Sequence, residues 1–175
     1  MIELERTFLA KSFPEGLKNC IFKEMLDIYL PDGMPHASIR IRKRGDKRFV
    51  ITKKQPVNKN DHSKLKEETI VLTKEEFELL EKGVKGRRVH KLRYYYDYNG
   101  KIAEFDVFAD KMKGLVLVDF EFETEEDKTN FQMPEFCLAD VTQDKFVAGG
   151  MLCGKSYEDI QEELDNYDYT KLFLE

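Results

Sequence analysis

The sequence predicts a mainly β (α+β) protein in one domain spanning residues 1–175, with an antiparallel sheet and helices packed outside it. Three observations carry this. Period-two segments dominate the chain. Asn99-Gly100 between two such segments is a strong hairpin signal. The polar face of each strand carries charges of a single sign.

The elements follow in order. Ile2 to Leu9 places Glu3, Glu5 and Thr7 on one face and Ile2, Leu4 and Phe8 on the other. Ala37 to Arg44 sets Arg40 and Arg42 against Ile39 and Ile41, and Gly45-Asp46 turns the chain into Arg48 to Lys54, whose polar face is assigned Lys53. Pro56 to Lys64 is polar and aperiodic, which predicts a mobile loop. Leu65 to Leu72 offers Glu67. Thr73 with Glu76 forms a capping box ahead of Phe77, Leu79 and Leu80, predicting a short helix. Arg87 to Tyr98 carries Lys91 and Arg93 opposite Leu92 and Tyr94. Lys101 to Phe108 carries Glu104 and Asp106, and Leu115 to Glu123 carries Asp119 and Glu121 opposite Val116, Val118, Phe120 and Phe122. Thr124 before Glu125 to Asp127 starts another helix, Gly149-Gly150 ends a turn, and Ser156 with Asp159 opens a C-terminal helix through Leu164.

Same-sign neighbours at i and i+2 repel on an open face unless counter-ions or a ligand offset the repulsion. Their recurrence from strand to strand argues that the sheet closes into a barrel with these charges inside. Arg and Lys would then hold a polyanion, and Glu and Asp a divalent metal. Glu3, Glu5, Arg40, Arg42, Lys53, Arg93 and Glu121 are expected to point into one cavity.

Composition excludes several classes. The 175 residues include 29 Lys plus Arg against 34 Asp plus Glu, a net −5, so the chain is no generic nucleic-acid binder. Cys20, Cys137 and Cys153 lack zinc spacing and disulfide density, which predicts reduced thiols and a cytoplasmic location. No apolar run approaches the ~18 residues of a membrane span, and the acidic start Met1-Ile2-Glu3 lacks the basic region of a signal peptide. His36, His62 and His90 have no partner at ligand spacing. No phosphate-binding loop, nucleophile elbow or His-Glu-x-x-His helix is present. Tyr94 to Tyr96 with Tyr98 read as sheet packing rather than as a platform for bases.

The ordered set Glu3-Leu4-Glu5, Ile39-Arg40-Ile41-Arg42, Lys53, Glu67, Lys91-Leu92-Arg93-Tyr94, Glu104-Phe105-Asp106-Val107 and Leu117-Val118-Asp119-Phe120-Glu121-Phe122 resembles the signature of the CYTH superfamily, the triphosphate tunnel metalloenzymes. The resemblance runs from residue 2 to about residue 157. It implies a closed eight-stranded antiparallel barrel around a tunnel. Arg40, Arg42, Lys53 and Arg93 would contact phosphate oxygens, with Lys91 near the attacked phosphorus. Glu3, Glu5 and Glu121 would be the nearest ligands of Mg²⁺ or Mn²⁺. Glu67, Glu104, Asp106 and Asp119 would give outer contacts or hold a second metal.

Two positions depart from the family pattern: Thr7 stands where a lysine is usual, and Thr69 where a second glutamate is. The resemblance implies a metal-dependent triphosphatase acting on inorganic tripolyphosphate or a small triphosphate ester. Class IV adenylate cyclase and thiamine triphosphatase are the alternatives within the fold, and a polyphosphate-binding module without turnover is the alternative outside catalysis. The expected partner is a small-molecule triphosphate, without nucleic acid or membrane. Monomer and homodimer both remain open.

Overall fold

The computed structural model describes residues 1–83 and 87–174. Its strands are β1 (Ile2–Ala10), β2 (Phe22–Leu30), β3 (Ile39–Arg44), β4 (Arg48–Asn58), β5 (Asp61–Leu72), β6 (Arg88–Tyr98), β7 (Lys101–Phe108), β8 (Val116–Phe122) and β9 (Cys137–Asp140). The helices are α1 (Lys74–Gly83), α2 (Glu125–Asn130), α3 (Gly149–Leu152) and α4 (Gln161–Asp165). Hydrogen-bonded order around the sheet is β5-β4-β3-β2-β6-β7-β8-β1, and β1 pairs again with β5, Ile2 opposite Lys66 and Leu4 opposite Lys64. Eight antiparallel strands therefore close a barrel. β9 takes over the same edge of β1 where β5 leaves it, pairing Phe8 with Asp140 and Leu9 with Ala139.

Alternation decides which side chains leave the barrel, and the outward set is apolar enough to need cover. Leu4, Phe8, Phe105, Val118 and Phe120 on β1, β7 and β8 pack with Phe131, Phe136 and Leu172. Ile28, Ile41 and Phe49 on β2 to β4 are covered by Phe77 of α1, with the Phe49 and Phe77 rings 5.2 Å apart. The capping box holds the start of α1, Glu76 N–H donating to Thr73 Oγ1 at 3.1 Å and Thr73 N–H to Glu76 Oε2 at 2.7 Å. Thr124 Oγ1 accepts from Asp127 N–H at the start of α2. One end of the barrel is floored by a third cluster including Val89, Phe108, Leu117, Val141, Val147 and Leu152.

The structure corrects several expectations. β2 and β9 are additional strands. Residues 56–64 form no mobile loop: β4 and β5 continue to a tight turn, with Asn58 opposite Asp61, because Asn58 and Asn60 are turn formers at the tip of a long hairpin. Gly149-Gly150 opens α3 instead of ending a turn. The C-terminal helix is a 3-10 turn, Glu158–Ile160, running into α4. At the hairpin between β6 and β7, Asn99 and Gly100 have φ of 55° and 80°, as a two-residue type I′ turn requires.

Candidate active site

The barrel encloses a cavity of about 470 Å³ lined by charged side chains from every closing strand. Glu3, Glu5, Arg40, Arg42, Glu67, Lys91, Arg93, Glu104, Asp106, Asp119 and Glu121 all line it, as does Thr7. Lys53 does not. It is exposed outside and opposite Glu68, while Lys54 points inward. Phe49-Val50-Ile51 is apolar on both faces, so alternation alone leaves the register of β4 open. Phe49 and Ile51 pack under α1, which turns Val50, Thr52 and Lys54 into the cavity and Lys53 out.

Among the charged and phenolic cavity residues, Asp27, Tyr29, Arg44, Arg48, Asp144 and Lys145 escaped the sequence reading besides Lys54. β2 hid the first two because its inner face mixes Met25, Asp27 and Tyr29, so the whole strand reads as apolar. The alternation of Leu26, Ile28 and Leu30 was the available signal. Arg44 and Arg48 face each other across the β3–β4 turn and continue the parity of Arg40 and Arg42.

The basic wall spans β2, β3 and β6, and most of its charge is already matched. Asp27, only 2% exposed, accepts from Arg42 Nε at 2.5 Å and Nη2 at 2.7 Å. Asp106, 1% exposed, accepts from Arg93 Nε and Nη2, both at 2.6 Å, and also from Lys91. Arg93 reaches Glu104 and lies 3.1 Å from Asp119. Burial alone would raise the Asp106 carboxyl, yet Arg93 and Lys91 hold it at about 2. Burial, with Arg93 and Arg42 nearby, lowers Lys91 against the pull of Asp106. Arg40 is the looser cation: its Nη1 is 3.4 Å from the Tyr29 hydroxyl, Glu67 is 4.0 Å away, and its buried Nε has no partner.

On the acidic wall, on β1, β7 and β8, Arg93 serves Glu104, Asp106 and Asp119, while Glu3, Glu5 and Glu121 are short of positive charge. Glu5 stands opposite Glu121 and Thr7 opposite Asp119, and Thr7 Oγ1 donates to Asp119 Oδ1 at 2.7 Å. Lys54 Nζ lies 2.6 Å from both Glu3 Oε2 and Glu5 Oε2, with hydrogen-bond geometry toward Glu5. Glu3 Oε2 is left buried without a hydrogen bond. Burial, reinforced by Glu104 and Glu3, pushes Glu121 up to about 7, and burial with Asp119 and Glu3 raises Glu5 despite Lys54. Among the described residues no three carboxylate, imidazole or thiolate groups form a ready-made metal cage. The donor set still fits a hard divalent cation: all oxygen, crowded, and with an unsatisfied buried carboxylate oxygen. Mg²⁺ commonly uses one or two carboxylates and completes its shell with substrate phosphates.

Tyr94, Tyr96 and Tyr98 pack outside the barrel against aromatic neighbours including Phe22, Phe105 and Phe136. Tyr95 turns inward and accepts a hydrogen bond from Arg44. No disulfide forms among the described residues, where Cys20, Cys137 and Cys153 are free, and no helix is long and apolar enough to cross a membrane.

No protein-family model matches the chain. The chain is 32% identical over 147 residues to the inorganic triphosphatase of Nitrosomonas europaea, covering 83% of this chain and 92% of that protein. The crystal structure of an inorganic triphosphatase superposes with a TM-score of 0.64 at 29% identity, covering 87% of this chain and 95% of the other. A proposed adenylate cyclase from Bacillus halodurans shares the fold at a TM-score of 0.52 and 20% identity, over 99% and 93% of the two chains. With opposed basic and acidic walls inside a closed antiparallel barrel, and this degree of likeness across nearly its whole length, the chain belongs to the CYTH superfamily of triphosphate tunnel enzymes.

Proposed function

We propose that the chain hydrolyses inorganic tripolyphosphate, or a small triphosphate ester, inside the barrel with the help of Mg²⁺ or Mn²⁺. Triphosphatases of this family are generally metal-dependent. The carrying observation is the division of one cavity of about 470 Å³ inside the closed barrel into a cationic and an anionic wall, which matches a metal–polyanion pair. Arg40, Arg42 and Arg93 would hold phosphate oxygens from one side, with Lys54 released toward them. Glu3, Glu5 and Glu121 would hold the metal on the other, where it would supply neutralisation of phosphate charge. Glu67, Glu104, Asp106 and Asp119 would orient these groups.

Phosphoryl transfer asks for charge neutralisation and alignment more than for a covalent nucleophile. Water attacks the terminal phosphorus, the P–O anhydride bond breaks, and pyrophosphate leaves with the electron pair. The water's proton would pass to Lys91 where burial and neighbouring cations leave it neutral, or to a carboxylate of the cavity. A small-molecule substrate, a cytoplasmic location and the absence of nucleic-acid or membrane partners belong to the same proposal. The free thiols and net charge of −5 support them.

Phosphate and pyrophosphate release from tripolyphosphate, ATP and thiamine triphosphate, each with Mg²⁺ and Mn²⁺, tests this reading. Tripolyphosphate is expected to give the highest kcat/KM. Faster ATP turnover with pyrophosphate release would point to a cyclase, and tight tripolyphosphate binding without turnover to a binding module.

A further inference from the structure

Asp27 is a carboxylate on the wrong wall. It lies on β2 directly opposite Arg42, with Val89 on its other side, and Arg42, Arg40 and Lys91 hold its carboxyl well below the usual carboxylate range against its burial. In a cavity that receives a polyanion, a buried negative charge among these cations repels the substrate. Nor does stability require it, since a buried ion pair seldom outperforms an apolar pair of similar volume. Its geometry suggests another use. Both oxygens of Asp27 grip one edge of the guanidinium, through Nε and Nη2, so Arg42 is fixed in plane and angle and Nη1 is left toward the cavity. Arg93 is gripped through the same pair of nitrogens by Asp106. Arg40, whose Nε has no partner, shows what an arginine of this wall looks like without such a grip.

We propose that Asp27 is a positioning residue for triphosphate hydrolysis: it orients Arg42 for the reacting phosphate and keeps the resting affinity of the basic wall for anions low. This rests on the triphosphatase reading. Binding energy is useful to catalysis only where it is realised in the transition state. A pre-aimed arginine beside a repulsive carboxylate exchanges ground-state affinity for alignment.

The test is a double-mutant cycle of Asp27→Asn and Arg42→Lys, read on kcat, on KM and on calorimetric binding of tripolyphosphate without metal, with melting temperature as a check of folding. Asp27→Asn keeps the shape and removes the charge. It is expected to lower kcat by about a hundredfold, as a small misplacement can, while KM falls and metal-free binding tightens. Arg42→Lys made on top of it should cost far less in kcat than it does in the wild type. Asp27→Glu, which keeps the charge and displaces the grip, should lower kcat without tightening binding, and it serves if the asparagine variant does not fold. Additive losses, or weaker anion binding in Asp27→Asn, overturn the proposal. If the wild type proves inactive on tripolyphosphate, the triphosphatase reading fails by itself. The same cycle read on binding then decides, since unchanged or weaker anion affinity in Asp27→Asn would still refute the role of its charge.

Discussion

The basic cluster of Arg42, Lys91 and Arg93 with its partners Asp27 and Asp106, and the acidic cluster of Glu3, Glu5 and Glu121, share one cavity but balance their charges in opposite ways. On the basic side, Arg42 has Asp27, and Arg93 and Lys91 share Asp106, so the cations are aimed before any ligand arrives. On the acidic side one ammonium, Lys54, stands between two carboxylates, Glu3 keeps an unsatisfied oxygen, and Glu121 holds its proton up to about pH 7. One wall is therefore preorganised, and the other is left with uncompensated negative charge. Removing a charge should damage the first wall and relieve the second.

The sharpest way to break this contrast is Asp106→Ala. It leaves Arg93 and Lys91 buried with much of their compensation gone, which should cost about 3–5 kcal/mol and lower the melting temperature by about 10 °C. A melting temperature unchanged in calorimetry would mean that the basic wall is not held together by its own carboxylates. Glu5→Gln and Glu121→Gln should do the reverse. Metal-stimulated hydrolysis is expected to fall about a hundredfold, while the metal-free protein melts no lower than the wild type because like-charge repulsion is relieved. Undiminished turnover in both variants would place the metal elsewhere.

The two walls should also answer pH with opposite signs. Asp106 titrates at about 2 in the folded protein against an ordinary 3.8, so its contribution is present above about pH 4 and lost as pH falls toward 2. Glu121 titrates at about 7 against 4.5, so the folded state binds the extra proton and stability falls as pH rises between those values. Metal-free melting curves should therefore peak near pH 4 to 5, and Mg²⁺ should raise the melting temperature more at pH 8 than at pH 5. In Glu121→Gln the decline between pH 5 and 7 should flatten, and an unaltered profile would remove Glu121 as its source. The smallest effect is expected from Thr7→Lys, which supplies the acidic wall with a cation beside Asp119. Metal-free stability should rise by about 1 kcal/mol, and kcat/KM for tripolyphosphate by about tenfold. A damaging Thr7→Lys in a protein already fast on tripolyphosphate would show that Lys54 compensates for the missing lysine.

Charge parity made most of this legible in the chain. The inner faces of β1, β3, β7 and β8 each carry one sign, as does β6 at Lys91 and Arg93, opposite faces that are mostly apolar, and that regularity is what a closed, inside-polar barrel demands. Where the pattern blurred, the reading failed. β2 puts Met25 and Tyr29 inside beside Asp27, so its inner face carries no run of one sign and only Leu26, Ile28 and Leu30 alternate. β9 is only four residues long. In β4 an apolar triplet straddles both faces, and choosing between Lys53 and Lys54 needs the position of α1, which local sequence does not contain. The pairing of carboxylates within the basic wall was equally invisible, because it joins residues on different strands, such as Asp27 to Arg42 and Asp106 to Lys91.

The floor of the barrel is built mainly on apolar side chains, and it has little room to change. A Cβ on Gly149 would fall 2.0 Å from the Tyr29 hydroxyl oxygen, and one on Gly150 would fall 2.1 Å from the Ala37 carbonyl oxygen. Tyr29 is buried and touches Arg40 through that hydroxyl, and Ala37 leads directly into β3, the strand that carries Arg40 and Arg42. A single methyl group here, with no charge, would be felt as a displaced arginine some distance away. Inherited variation should therefore be tolerated least at two glycines that perform no chemistry, because they set the clearance against which the basic wall is mounted.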